Sequence, residues 1–378
     1  MIIPFNRPAA MARELEYITT AVETGGIGGA GEFAAKCQAL LENALGVKKA
    51  LLTTSCTAAL EITAMLIDSQ PGDETILPSF TFPSTANAFV LRGAKPIFVD
   101  IRPDTLNIDE NLIERHLTKR TKAIVALHYA GVGCELDAIV DLARGRSIAL
   151  IEDNAHGLFG KYKDRHLGTF GCLATQSFHE TKNFSCGEGG ALLINDERFI
   201  ERAEMIREKG TNRARFFRGE VDKYTWVDLG SSYAPSDILA AYLLAQLEVR
   251  EKIQKLREDI WNFYAAHLRE WAERCEARLP VVPHYTDQAY HMFYVLMKTG
   301  AERDRLMAHL RQAGMQSVFH YLPLHLSKMG RSFGGKEGDC PVTESVSERL
   351  LRLPFYNGLT TAELTRVVEA MEKFRPCS

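Results

Sequence analysis

Three pieces of this sequence could do chemistry together: a carboxylate past an apolar run, a lysine among small polar residues, and a hydroxyl-rich helix start. Asp153 stands in Glu152-Asp153-Asn154-Ala155-His156, directly after the apolar run Ile148–Ile151. Beyond the carboxyl end of a buried strand a carboxylate faces the crevice where α/β sheets bind ligands, although an aspartate there can equally cap a helix. Lys182 stands in Ser177-Phe178-His179-Glu180-Thr181-Lys182-Asn183, ahead of Gly187-Glu188-Gly189-Gly190. A desolvated amine in such a setting is nucleophilic enough to form a Schiff base; the plainer reading is a surface lysine followed by a glycine turn. Thr53-Thr54-Ser55-Cys56-Thr57-Ala58-Ala59-Leu60 turns a strand into a helix through small side chains. The N–H groups of such a start suit a phosphate dianion, though Ser and Thr also cap ordinary helices. Phe82, on the loop Pro78–Thr85 after another apolar run, is an aromatic that could cover a flat heterocycle or simply join the core.

The elements that must hold these residues alternate along the first part of the chain. Ala50–Thr53, Glu74–Leu77, Pro96–Val99, Ala123–Leu127, Ile148–Ile151, Leu173–Phe178 and Ala191–Ile194 read as short strands, mostly apolar on both faces. Thr57–Ile67 and Asp109–Leu117 carry helical spacing between them. Continuous apolar strands separated by helices predict a mainly parallel sheet covered on both sides, the α/β class. From Ser236 the pattern changes. Asp237–Trp271 lacks Pro and Gly and predicts one long helix, followed by strands at Met292–Met297 and Ser317–Tyr321 and helices at Arg303–Ala313 and Thr361–Phe374. We therefore expect a large domain over 1–249 and a small α+β domain over 250–378.

Composition narrows the function classes. The 378 residues carry 45 Lys+Arg against 48 Asp+Glu, a net charge of −3, with no basic stripe; neither nucleic acid nor an anionic membrane is an expected partner. No apolar run reaches the roughly 18 residues of a membrane span. Met1 to Asn6 show no basic segment leading into an apolar one, so the expected location is the cytoplasm. The eight cysteines are scattered without a Cys-x-x-Cys pair, which fits reduced thiols and no metal site.

Together, the lysine, the aspartate, the helix start and the aromatic are the parts pyridoxal 5′-phosphate requires. The lysine takes the aldehyde, the aspartate pairs with the ring nitrogen, the helix start holds the phosphate and the aromatic covers the ring. On Glu152-Asp153-Asn154-Ala155-His156, Ser177-x4-Lys182, Gly187-Glu188-Gly189-Gly190 and His320-Tyr321-x-Pro323-Leu324-His325, the chain resembles the DegT/DnrJ/EryC1/StrS sugar aminotransferases. The resemblance covers essentially its whole length. It implies fold type I of the pyridoxal-phosphate enzymes, with a seven-stranded, mainly parallel sheet, and a homodimer with shared active sites. It also implies catalysis by Lys182 and Asp153. Lys182 would shuttle the proton. Cofactor contacts would come from Cys56, Thr57, Ala58, Phe82, Asp153, His156, Ser177, Lys182 and Ser232. Ser232 stands where many members place an asparagine that reaches the neighbouring subunit's phosphate, and Cys56 where many have glycine. Substrate contacts would come from Tyr321 and His325, and from Asn212, Arg213 and Arg215 as donors to a diphosphate or as a solvated basic face. His128 and His320 read as structural. Lys182 distinguishes the chain from the family's sugar 3-dehydratases, which carry histidine there.

The stretches Thr81–Gly93, Glu208–Arg213 and Phe216–Trp226 resemble the members that aminate dTDP-4-dehydro-6-deoxyglucose with L-glutamate. Those members release 2-oxoglutarate and dTDP-4-amino-4,6-dideoxygalactose. Open alternatives are the gluco epimer, a C3 ketone, a UDP-sugar, or a cofactor-binding protein without catalysis.

Overall fold

The computed structural model describes residues 2–376; the outermost residues of the two expected domains, 1 and 377–378, lie outside it. Seven strands form at the positions the apolar runs predict: β1 (Lys49–Thr53), β2 (Glu74–Pro78), β3 (Lys95–Val99), β4 (Thr121–Leu127), β5 (Ala149–Asp153), β6 (Leu173–Ser177) and β7 (Gly190–Ile194). They join one sheet in the order β1-β7-β6-β5-β4-β2-β3. β2 to β6 run parallel, and β7 is antiparallel to both of its neighbours. Helices cover both faces, among them α1 (Glu32–Leu45), α2 (Cys56–Leu66), α3 (Pro83–Val90) and α4 (Asp237–Glu248).

Register sets the level of the chemical residues. Asp153 lies opposite Leu127 on one side and Thr175 on the other, and Gly190 lies between Thr53 and Ser177. All sit where the parallel strands end, the edge at which open α/β sheets bind ligands. Gly190 is required there: a Cβ on it would stand 2.3 Å from Ser55 C and 2.4 Å from Cys56 N. The absent side chain lets β7 pass against the start of α2.

The predicted long helix is divided. Val249 (φ −108°, ψ 27°) separates α4 from α5 (Arg250–His267), and Leu268 separates α5 from a short helix at Arg269–Arg274. Packing changes along α5: Ile253 joins the apolar cluster of α1 and α4, whereas Ile260 and Tyr264 join one with Trp271, Phe293, Leu310, Leu351 and Met371. That second cluster also holds Ile3, whose N–H donates to Gly314 O at 2.9 Å. α6 (Gly300–Gln312) and α7 (Thr361–Lys373) cover the antiparallel pair β8 (Tyr294–Leu296) and β9 (Leu350–Arg352). A Thr360–Glu363 capping box starts α7, satisfying two N–H groups that a helix start leaves open. The expected strand over Ser317–Tyr321 does not form; only Val318 bridges to Arg352, and the rest is an extended loop. Among the described residues no helix is long and apolar enough to cross a membrane.

Candidate active site

A cavity of about 520 Å³ opens at the carboxyl ends of the parallel strands. Of the residues named from the sequence, Cys56, Thr57, Phe82, Asp153, His156, Ser177, Lys182 and Tyr321 line it.

Each is placed by its element. Ser55 caps α2, its Oγ accepting the Ala58 N–H at 3.0 Å. The N–H groups of Cys56 and Thr57, in the first turn, have no intrahelical acceptor by geometry and remain available to a ligand. Ala58 is different: its N–H is spent on Ser55 and it does not line the cavity. Pro83 at the first turn of α3 holds Phe82 extended (φ −75°, ψ 147°), because a residue before proline is driven out of the helical region. The Phe82 ring consequently stays exposed at the cavity wall. Lys182 rides the connection between β6 and β7, where Phe178 N–H donates to Gly189 O and Glu180 N–H to Gly187 O, both at 2.8 Å. Gly187 makes the turn with φ +87°, a conformation that costs glycine least. Asn183 ties this loop down by donating to Ala289 O at 2.6 Å and accepting Asn357 Nδ2 at 3.1 Å on its own carbonyl.

Burial governs the electrostatics. It lowers the Lys182 ammonium to about 8, against the opposing charge of Asp153. The Asp153 carboxyl is pushed up by burial and pulled back by Thr85, whose hydroxyl donates to Oδ2 at 2.7 Å. Burial raises the Cys56 thiol to about 12, so no thiolate opposes an anion at the start of α2. His156, His291 and His320 are all held well below the usual histidine value by burial, and stay neutral near pH 7. The wall thus combines an amine, a buried carboxyl, a helix start with free N–H groups, and flat aromatic surface. That donor set fits a phosphorylated, aldehyde-bearing heterocycle.

Other residues named from the sequence fall elsewhere. His325 is buried outside the cavity, with Nδ1 at 2.6 Å from Ser79 Oγ and Nε2 at 3.0 Å from Glu344 Oε1; both nitrogens are consumed, so its expected substrate contact is corrected to a structural one. His320, read as structural, instead lines the cavity, its Nδ1 at 3.0 Å from the Tyr129 hydroxyl. His128 is buried as expected, bonded to Glu152 Oε2 at 3.0 Å. Asn212, Arg213 and Arg215 lie away from the cavity. Asn212 Oδ1 accepts Thr225 N–H at 2.7 Å, and Arg215 pairs with Glu201 and Glu220 at 3.0 and 3.1 Å. Arg213 stacks over Phe217 at 5.1 Å. Ser232 is exposed, bridged to Glu208, and outside the cavity of its own chain. Phe5, Thr85, His291 and Arg352 line the cavity without having been singled out. For Arg352 a signal existed: a lone arginine inside the apolar run Leu350-Leu351-Arg352-Leu353.

Comparisons with known proteins agree with this geometry. The model of the DegT/DnrJ/EryC1/StrS aminotransferase family matches residues 8–372. The uncharacterized protein MJ1066 of Methanocaldococcus jannaschii is 33% identical over 98% of this chain and 97% of its own length. The aminotransferase TlmJ of Streptoalloteichus hindustanus superposes with a TM-score of 0.90 at 29% identity, covering 98% of each chain. A candidate sugar aminotransferase of Streptococcus pneumoniae, Spr1654 in its PMP form, does so with a TM-score of 0.90 at 25% identity over 98% of each chain. The chain belongs to the DegT/DnrJ/EryC1/StrS aminotransferase family, and its cofactor is pyridoxal 5′-phosphate.

Proposed function

We propose that this protein is a fold-type-I sugar aminotransferase. It moves the amino group of L-glutamate to C4 of dTDP-4-dehydro-6-deoxyglucose, giving dTDP-4-amino-4,6-dideoxygalactose and 2-oxoglutarate. One observation carries the reading: the Lys182 amine, lowered to about 8, shares one cavity with Asp153 and the start of α2. When bound, pyridoxal phosphate supplies the aldehyde that takes the amino group and a ring that accepts electrons. Lys182 holds that aldehyde, and Asp153 pairs with the ring nitrogen. The N–H groups of Cys56 and Thr57, with the Ser177 hydroxyl, hold the phosphate, while Phe82 and His156 bound the ring. Lys182 Nζ takes the proton from the donor's α-carbon and, in the second half, delivers one to C4 of the sugar. Tyr321, on the loop after Val318, bounds the sugar side.

The sugar and its nucleotide rest on the likeness of Thr81–Gly93, Glu208–Arg213 and Phe216–Trp226 to enzymes of that specificity. The exposed apolar residues Phe217, Tyr224, Trp226, Val227 and Leu229 support a homodimer, since a patch of that kind marks an interaction surface. In such a dimer Ser232 would reach the neighbouring cofactor's phosphate through a water. Proton NMR of the product tests the reading. A small H3–H4 coupling means an axial amine and the galacto product; a large one gives the gluco epimer, and no product excludes this acceptor.

A further inference from the structure

Three side chains close together in sequence leave the start of α3 for three different places. Phe82, which caps the helix, forms part of the cavity wall. The Ser84 hydroxyl accepts that of Thr57 at 2.7 Å, on the helix start that faces the cavity. Thr85 is buried, and its hydroxyl donates to Asp153 Oδ2 at 2.7 Å. With its one proton spent there, the Thr85 oxygen accepts from the hydroxyl of Thr81, 2.9 Å away and equally buried. The chain from Thr81 through Thr85 to Asp153 therefore runs toward the acid, and each donor polarises the next. Among the described residues the other carboxyl oxygen, Oδ1, accepts only the Ala155 N–H, at 3.3 Å. A lone pair is left on it for a ligand.

Burial works against a charged Asp153, because a carboxyl group taken out of water is driven toward its neutral form. Of the groups that oppose this, the Thr85 hydroxyl does most, ahead of the Ala155 N–H and the charge of Lys182. Geometry adds a second effect. The hydroxyl ties Oδ2 to α3, which keeps the carboxyl plane from swinging and leaves Oδ1 as the oxygen offered to the cavity. We infer that Thr85, backed by Thr81, is a positioning residue that holds Asp153 as the anionic partner of the cofactor's ring nitrogen. It acts through Asp153 and not on the ring itself. The inference rests on the reading of Asp153 given above and is independent of the sugar and of the amino donor.

The test is cofactor binding to the full-length apoprotein, followed by fluorescence with two probes. One is pyridoxal phosphate; the other is its 1-deaza analogue, in which C–H replaces the ring nitrogen. Wild type should bind pyridoxal phosphate at least about 30-fold more tightly than the analogue, the worth of one charge-assisted hydrogen bond. Thr85→Val keeps the shape and removes the hydroxyl. It should weaken pyridoxal phosphate about 10- to 30-fold and leave the analogue within about threefold. Thr85→Ser, which keeps the hydroxyl, should bind both probes within about threefold of wild type. Thr81→Val, one bond further out and the fallback if Thr85→Val does not fold, should weaken pyridoxal phosphate about three- to fivefold and spare the analogue. Equal weakening of both probes by Thr85→Val, or of neither, would overturn the inference. Loss of pyridoxal phosphate affinity in Thr85→Ser as large as in Thr85→Val would overturn it too, since the hydroxyl would then not be the active group. A wild-type protein that binds the two probes alike would overturn the reading of Asp153, and the inference with it.

Discussion

His156 and His291 stack face to face, ring centroids 4.2 Å apart and planes 15° from parallel, although one follows β5 and the other precedes β8. His291 Nδ1 lies 2.8 Å from Asn183 Oδ1, so the ring is also tied to the loop that carries Lys182. The pair joins the two ends of the chain's chemistry through neutral imidazoles, because protonating one would place a cation against the other and near Lys182.

This fixes the sign of a pH effect. His291 is held well below its ordinary value of 6.5 by burial, so below that pH the unfolded chain binds a proton that the fold does not. Stability therefore falls as pH drops through 6.5, by about 1.4 kcal/mol per pH unit for each such group. Thermal melting of the apoprotein between pH 7 and 5 should show it, with a shallower slope in His291→Gln. Equal slopes would mean that His291 titrates normally in the fold.

Lys182 carries a second pH dependence. With its ammonium lowered from 10.5 to about 8, the reactive free amine grows nearly tenfold per pH unit below 8 and levels off above it. Stopped-flow absorbance of apoprotein mixed with pyridoxal phosphate should follow that curve. Lys182→Ala should lose roughly 10⁴-fold in transamination and yield no borohydride-trapped cofactor. Retained turnover would remove Lys182 from the chemistry.

Gly190→Ala probes the meeting of β7 with α2. The added Cβ has backbone on its far side, 2.3 Å away, and backbone gives way less readily than a side chain. A cost of about 1–3 kcal/mol in stability is expected, with a larger relative loss in cofactor affinity than in melting temperature, since the displaced N–H groups are those of Cys56 and Thr57. Fluorescence titration of the cofactor against a melting curve separates the two. Wild-type affinity in this variant would place the phosphate elsewhere.

The sheet was legible because most of its strands are buried on both faces, and short, mostly apolar runs betray that without any partner being known. Lys182, Asp153 and Cys56 were legible because they lie at the ends of those runs. Residues whose meaning comes from distant partners were not. His325 and His320 differ in what surrounds them: the first is claimed by Ser79 and Glu344, the second lines the cavity while bonded to the Tyr129 hydroxyl, and nothing local to His320-Tyr321 tells them apart. The apparent strand at Ser317–Tyr321 has suitable residues, but only Val318 finds a neighbour to pair with. Asp237–Trp271 contains no Gly or Pro, yet Val249 and Leu268 break it, and the change from one core to the other falls inside α5, between Ile253 and Ile260, rather than at either break.

Ile3 pairs with Gly314, Met315 and Gln316, more than three hundred residues downstream. During synthesis it leaves the ribosome long before those residues exist. At about 5–20 residues per second it waits many seconds, with the main sheet free to form in the meantime. Phe5 and Arg352, from opposite ends of the same delay, meet at its close. The cavity's last wall is therefore a product of late assembly, and a chain stalled after β7 would hold the lysine but not the enclosure around it.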